Sequence, residues 1–103
     1  MQKTLTVPRW EEKVVFSDTG PKPQFLWEDE KLKVIFGGLK AGQAIPPHPE
    51  ALAVYHFLAG EGVMMVDQEQ YAVKAGTTVI VPKGAKRGIN AETRLAFLAV
   101  RVA

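Results

Sequence analysis

Short apolar runs punctuated by Gly and Pro recur along the chain, the pattern of strand after strand. Residues 13–17 are expected to form a short strand, ended by Ser17-Asp18-Thr19-Gly20-Pro21, and residues 24–27 a second. From 31 to 36 the alternation is regular: Leu32, Val34 and Phe36 share one face, and Lys31, Lys33 and Ile35 the other. Gly37-Gly38 is expected to interrupt this strand, leaving residues 39–42 as a further strand and turn. Pro46, Pro47 and Pro49 exclude a helix between 45 and 50, because each lacks the N–H that a helix needs and clashes with the preceding turn.

The stretch 53–58 is dense in Val, Tyr and Phe and reads as a strand. Gly60-Glu61-Gly62 turns it into 63–66, and Asp67-Gln68-Glu69 turns that into 71–74. Ala75-Gly76 precedes 77–81, where β-branched residues dominate. In Pro82-Lys83-Gly84, Pro presets φ and Gly accepts a positive φ soon after. Residues 87–90 and 95–102 complete the set. Strands this short, with turn signals every eight to twelve residues or so, predict an all-β closed barrel or sandwich. The last strand has Leu95 and Phe97 on one face and Leu98, Val100 and Val102 on the other. One face therefore lines the barrel while the other packs on a second body, either a second subunit, giving a homodimer, or a neighbouring sheet.

The 103 residues suit one domain: residues 1–41 supply the N-terminal strands, 42–90 the central motifs and 91–103 the closing strand. A chain of this size buries roughly two-thirds of its unfolded surface, enough for one core without cross-links. The absence of cysteine excludes disulfides, thiolate-bound metals and cysteine nucleophiles. The thirteen basic residues give a net charge of only +2 and are scattered, so nucleic acid is not an expected partner. Residues 1–8 lack the apolar run of a secretory leader, and charged residues recur too often for a membrane span, so a cytoplasmic protein is expected.

Residues 42–90 resemble the two signature motifs of the cupin superfamily. The first runs Gly, five residues, His-x-His, three or four residues, Glu, six residues, Gly. Gly42-Gln43-Ala44-Ile45-Pro46-Pro47-His48 reproduces its opening and Leu58-Ala59-Gly60-Glu61-Gly62 resembles its close. The second runs Gly, five residues, Pro-x-Gly, two residues, His, three residues, Asn. Gly76, Pro82 and Gly84 fall on it, and Asn90 stands one position early. The resemblance implies an all-β, single-domain jelly-roll barrel.

It also implies where a metal would sit, and there the sequence departs from the pattern. Metal-binding cupins use His, His, Glu and a last His. Here the first position is His48 and the second is Glu50; the Glu position falls among residues 53–55, none a ligand, and the last is Arg87. A guanidinium has no lone pair to give and its charge repels a cation. The resemblance thus implies a degenerate site with no metal cofactor.

The candidate ligand-binding residues are His48, Glu50, Tyr55, Phe57 and Arg87. His48 is a ligand or acid–base group at the barrel mouth, or a loop histidine bonded to backbone. Glu50 is expected to pair with Arg87, since carboxylate and guanidinium match in shape and offset each other's burial. Arg87 could otherwise hold an anionic ligand. Tyr55 and Phe57 either line an aromatic cavity or fill the core. The orientation of His56 turns on strand register: if Ala53, Tyr55 and Phe57 point inward it faces out, and a one-residue slip reverses this.

Three functions follow. The first is a small-molecule-binding cupin whose ligand is anionic, a carboxylate for example. The alternative is a metal-dependent enzyme of dioxygenase or isomerase type, with His48, Glu50 and His56 as a reduced ligand set for a divalent transition metal. The third is an oligomerising module whose barrel is filled by its own side chains.

Overall fold

The alternation read from residues 53–58 and 95–102 is realised in nine antiparallel strands in the computed structural model, which describes residues 3–102. Met1, Gln2 and Ala103, the outer ends of the segments 1–41 and 91–103, lie outside the described residues. The strands are β1 (Gln24–Glu28), β2 (Leu32–Leu39), β3 (Ala44–Pro49), β4 (Ala53–Ala59), β5 (Glu61–Val66), β6 (Glu69–Lys74), β7 (Thr78–Val81), β8 (Lys86–Ala91) and β9 (Leu95–Val102). They form a five-stranded sheet in the order β1-β2-β9-β4-β7 and a four-stranded sheet in the order β3-β8-β5-β6. The inward residues of both sheets meet in one core, with Leu39, Phe57, Met64, Val81, Ile89 and Leu95 all but inaccessible to solvent. This is a jelly-roll barrel. No helix among the described residues is long and apolar enough to cross a membrane.

Two expectations fail at the N-terminal end, for one physical reason. Gly37-Gly38 does not interrupt β2, which pairs with β9 from Leu32↔Val102 to Leu39↔Leu95 without a break. The glycines serve close approach instead, one on each face. A Cβ at Gly37 would fall 2.3 Å from Cζ of Phe97 inside the barrel, and one at Gly38 would fall 2.5 Å from the Val15 carbonyl oxygen outside it. Residues 13–17 are accordingly not a strand. After a 3-10 turn at Trp10–Glu12 they cross the outer face of the five-stranded sheet as irregular chain.

That crossing changes the account of the second apolar face. Val7, Trp10, Val14 and Phe16 pack against Phe36, Leu58, Ala96 and Leu98, so the chain itself covers part of the face, and no neighbouring sheet is needed there. The rest stays open. Val34, Val100, Val54 and Ile80 lie side by side across four strands, and Val54, Ile80 and Val102 are exposed.

The motif glycines behave as turn residues. Gly42, Gly60, Gly76 and Gly84 all have φ between 84° and 93°, a region other L-residues enter at a cost. β3 forms despite three prolines because it lies at the edge of its sheet, where missing N–H groups leave little unpaired. Its pairing with β8 jumps from Ile45↔Ile89 to His48↔Arg87, a bulge at Pro46-Pro47.

Candidate functional site

Strand phase decides which polar side chains reach the barrel interior. On β4, Ala53, Tyr55 and Phe57 are buried while Val54 is exposed, so Tyr55 points in and His56 points out. On β8, Arg87, Ile89 and Ala91 point in. On β9 the inward set Leu95, Phe97 and Ala99 continues to Arg101. On β3, the register after the bulge sets His48 opposite Arg87, and directly opposed residues of an antiparallel pair share a face.

These strands enclose a chamber of about 200 Å³ at one end of the barrel. Its walls are apolar, chiefly Phe25, Ile35, Ile45, Ile89, Phe97 and Ala99, and its polar groups are His48, Tyr55 and Arg101. The Tyr55 and Phe97 rings pack tilted, 5.7 Å between centroids. Burial pushes the Tyr55 phenol above its ordinary range, against the opposing pull of the nearby Arg87 and Arg101 guanidiniums. The hydroxyl therefore keeps its proton at neutral pH and can donate a hydrogen bond to an acceptor in the chamber. The His48 Nδ1–H donates to the Pro46 carbonyl at 3.1 Å. In the neutral ring Nε2 is then the bare nitrogen, 3.9 Å from a Glu50 carboxylate oxygen.

The expected Glu50–Arg87 ion pair does not form. The Glu50 carboxylate binds Arg101, 3.0 Å from Nη1. Arg87, 1% exposed, turns away to backbone carbonyls: Nη1 donates to Ala51 at 2.7 Å, Nη2 to Glu50, Pro82 and Ala85, and Nε to Ala85. Carbonyl dipoles from the 50–51 loop and the 82–85 turn thus solvate the cation, and a carboxylate partner is unnecessary. Nearly all its N–H groups are engaged, so it does not line the chamber.

Of the other candidates, His48 and Tyr55 line the chamber, and Glu50 stands at its rim through Arg101. Phe57 is wholly buried beneath it, packed on Phe97 with ring centroids 5.8 Å apart, as core rather than lining. His56 lies on the opposite side of its strand, its Nδ1 2.8 Å from the Thr78 hydroxyl oxygen. The set His48, Glu50 and His56 therefore does not converge. Among the described residues no three His, Asp or Glu side chains come together as a metal site. The donors present do not fit a divalent ion.

Sequence reasoning missed Arg101, among the described residues the one cation that faces the chamber. The signal was available: with Leu95 and Phe97 fixed as inward, period-two alternation carries the same face through Ala99 to Arg101.

The chain belongs to the cupin family: the family's Cupin domain pattern matches residues 36–101. Among solved structures, a conserved protein of unknown function from Streptococcus pyogenes superposes with a TM-score of 0.86 at 24% identity, covering 98% of this chain and 90% of that one. An RmlC-like cupin from Desulfovibrio desulfuricans gives 0.83 at 24% identity, covering 99% and 97%. The salicylate 1,2-dioxygenase of Pseudoaminobacter salicylatoxidans, as its W104Y mutant, gives 0.75 at 19% identity, covering 88% of this chain but 29% of that enzyme. At these identities the likeness establishes the fold alone. No curated protein matches the sequence.

Proposed function

We propose that this cupin binds a small organic anion, a carboxylate, in the chamber at the barrel end and holds it without a metal ion. The observation that carries the reading is the placement of Arg101, Tyr55 and His48 at the polar end of an otherwise apolar cavity. Two guanidiniums and one carboxylate lie around Tyr55, so the local balance favours an anion. Arg101 supplies charge-assisted hydrogen bonds and Tyr55 a neutral donor. Glu50 holds the Arg101 fork in place and competes with the ligand for it. Arg87 anchors the loops that frame the site.

Thermal unfolding against a panel of small carboxylates tests this. A ligand at a hundred times its dissociation constant adds about 2.7 kcal/mol, a rise of roughly 10–20 °C for a domain of this size. Arg101→Met, which keeps the apolar stem, is expected to weaken any hit about tenfold or more, since hydrogen bonds to charged groups contribute about 1.5–3 kcal/mol. Arg87→Met would act mainly on stability. A broad panel with no shift defeats the proposal and favours a barrel that serves only as a packed module.

The homodimer expected from the sequence we place on the uncovered rows Val34–Val100–Val54–Ile80, which carry no charge and can face their own copy across a two-fold axis. Ile80 is 69% exposed, so Ile80→Glu should leave the fold intact while converting a dimer to a monomer in sedimentation velocity. A wild-type protein that sediments as a monomer at high micromolar concentration rules the interface out.

A further inference from the structure

A second cavity of about 310 Å³ lies beside the chamber, between β3, the segment 21–23 and Gly37-Gly38 of β2, and shares Pro23, Ile45 and Phe97 with it. Its remaining lining is Pro21, Gly37, Gly38, Ala44 and Pro46, with no ionisable side chain. The two cavities differ in chemistry: the first ends at His48, Tyr55 and Arg101, and the second is apolar throughout. The Phe97 ring stands between them, held by Tyr55 and Phe57 on one side and lying against the bare Cα of Gly37 on the other. Small-molecule sites run from about 300 to 1,000 Å³; the first chamber alone falls short of that range and the two jointly fall within it.

We infer that the ligand is an elongated monocarboxylate with an apolar tail, its carboxylate on Arg101 and Tyr55 and its tail passing Phe97 into the cavity between β3 and the segment 21–23. The inference rests on the anion site proposed above and adds the direction and character of the rest of the molecule. An anion polar at both ends would find no hydrogen-bonding side chain for its second charge among Pro21, Pro46 and Gly37. A tail of methylenes or an aromatic ring loses nothing there and gains by leaving water.

The test is a series of straight-chain monocarboxylates from acetate to octanoate, titrated calorimetrically against the wild-type protein, Arg101→Met and Ala44→Phe. Ala44 is exposed at the lip of the second cavity, so the Phe substitution plugs the tail chamber from its rim with little demand on the core. Affinity is expected to rise about fourfold per methylene once the tail passes Phe97. In Ala44→Phe the gain with chain length should vanish while short acids bind as before, and in Arg101→Met every acid should weaken alike. A second readout needs no variant: octanoate, unlike acetate, should shift the amide resonances of Gly37, Gly38 and Ala44. If short acids bind but affinity stays flat with length, the tail chamber is wrong and the anion site stands. If no acid of any length binds, the anion site itself fails and this inference with it.

Discussion

Replacing Arg87 by alanine should cost the protein about 3 kcal/mol and lower its melting temperature by roughly 10 °C or more. The guanidinium makes five hydrogen bonds to four backbone carbonyls, each of a kind that contributes about 1.5–3 kcal/mol in isolation. They do not add fully. The Glu50 carbonyl also accepts from the Gly84 N–H, and that of Pro82 from the Ala85 N–H, so the variant chiefly deprives Ala51 and Ala85. Nor does it strand a counter-charge, because Glu50 is paired with Arg101. The larger penalty of breaking a buried ion pair, about 3–5 kcal/mol, therefore does not apply. What remains is two starved carbonyls and a void the size of the side chain, against a total stability of about 5–15 kcal/mol. Arg87→Lys should recover only part of the loss, since one ammonium with three donors cannot span the 50–51 loop and the 82–85 turn together. Differential scanning calorimetry measures both. A melting point for Arg87→Ala within about 2 °C of wild type would mean that the carbonyls find other partners and that Arg87 is available for ligand after all.

The same residue shows how far the sequence could be read. That Arg87 stands where a metal-binding cupin has its last histidine followed from Pro82 and Gly84 in register. Its partners did not. A guanidinium reaches several ångströms in many directions, and carbonyls from two loops leave no mark in side-chain identity, so the visible candidate was Glu50, the carboxylate at a neighbouring motif position. Glu50 went instead to Arg101, far beyond any local sequence pattern, because β9 runs antiparallel beside β4 with Ala53 opposite Arg101. Turn and strand signals behaved differently. Gly42, Gly60, Gly76 and Gly84 are legible because positive φ is a local demand, and the span of β9 was read to the residue. Gly37-Gly38 misled for the opposite reason: the demand there is tertiary, a ring on one face and a carbonyl on the other, and a glycine pair looks the same in either case.

Gly60 joins both kinds of demand, and Gly60→Ala is the second substitution expected to be severe. Its φ of 86° resembles those of Gly42, Gly76 and Gly84, so backbone conformation alone predicts the same cost at all four, about 1–2 kcal/mol. The surroundings differ. A Cβ at Gly42, Gly76 or Gly84 would enter open space, whereas at Gly60 it would fall 1.9 Å from the Arg94 carbonyl oxygen and 2.9 Å from Cα of Leu95. These are backbone atoms at the start of β9, and no rotamer change relieves them. β9 pairs on both sides, with β2 and β4, so shifting its first residues disturbs the central strand of the larger sheet and Leu95 in the core with it. The expected order is three mild alanine variants, each melting within roughly 5–15 °C of wild type, and a Gly60→Ala protein well below them or insoluble. Chemical denaturation of the four variants side by side decides it: equal losses would show that the β4–β5 turn yields as a unit, and that β9 is not pinned where the chamber needs Phe97 and Arg101 to be.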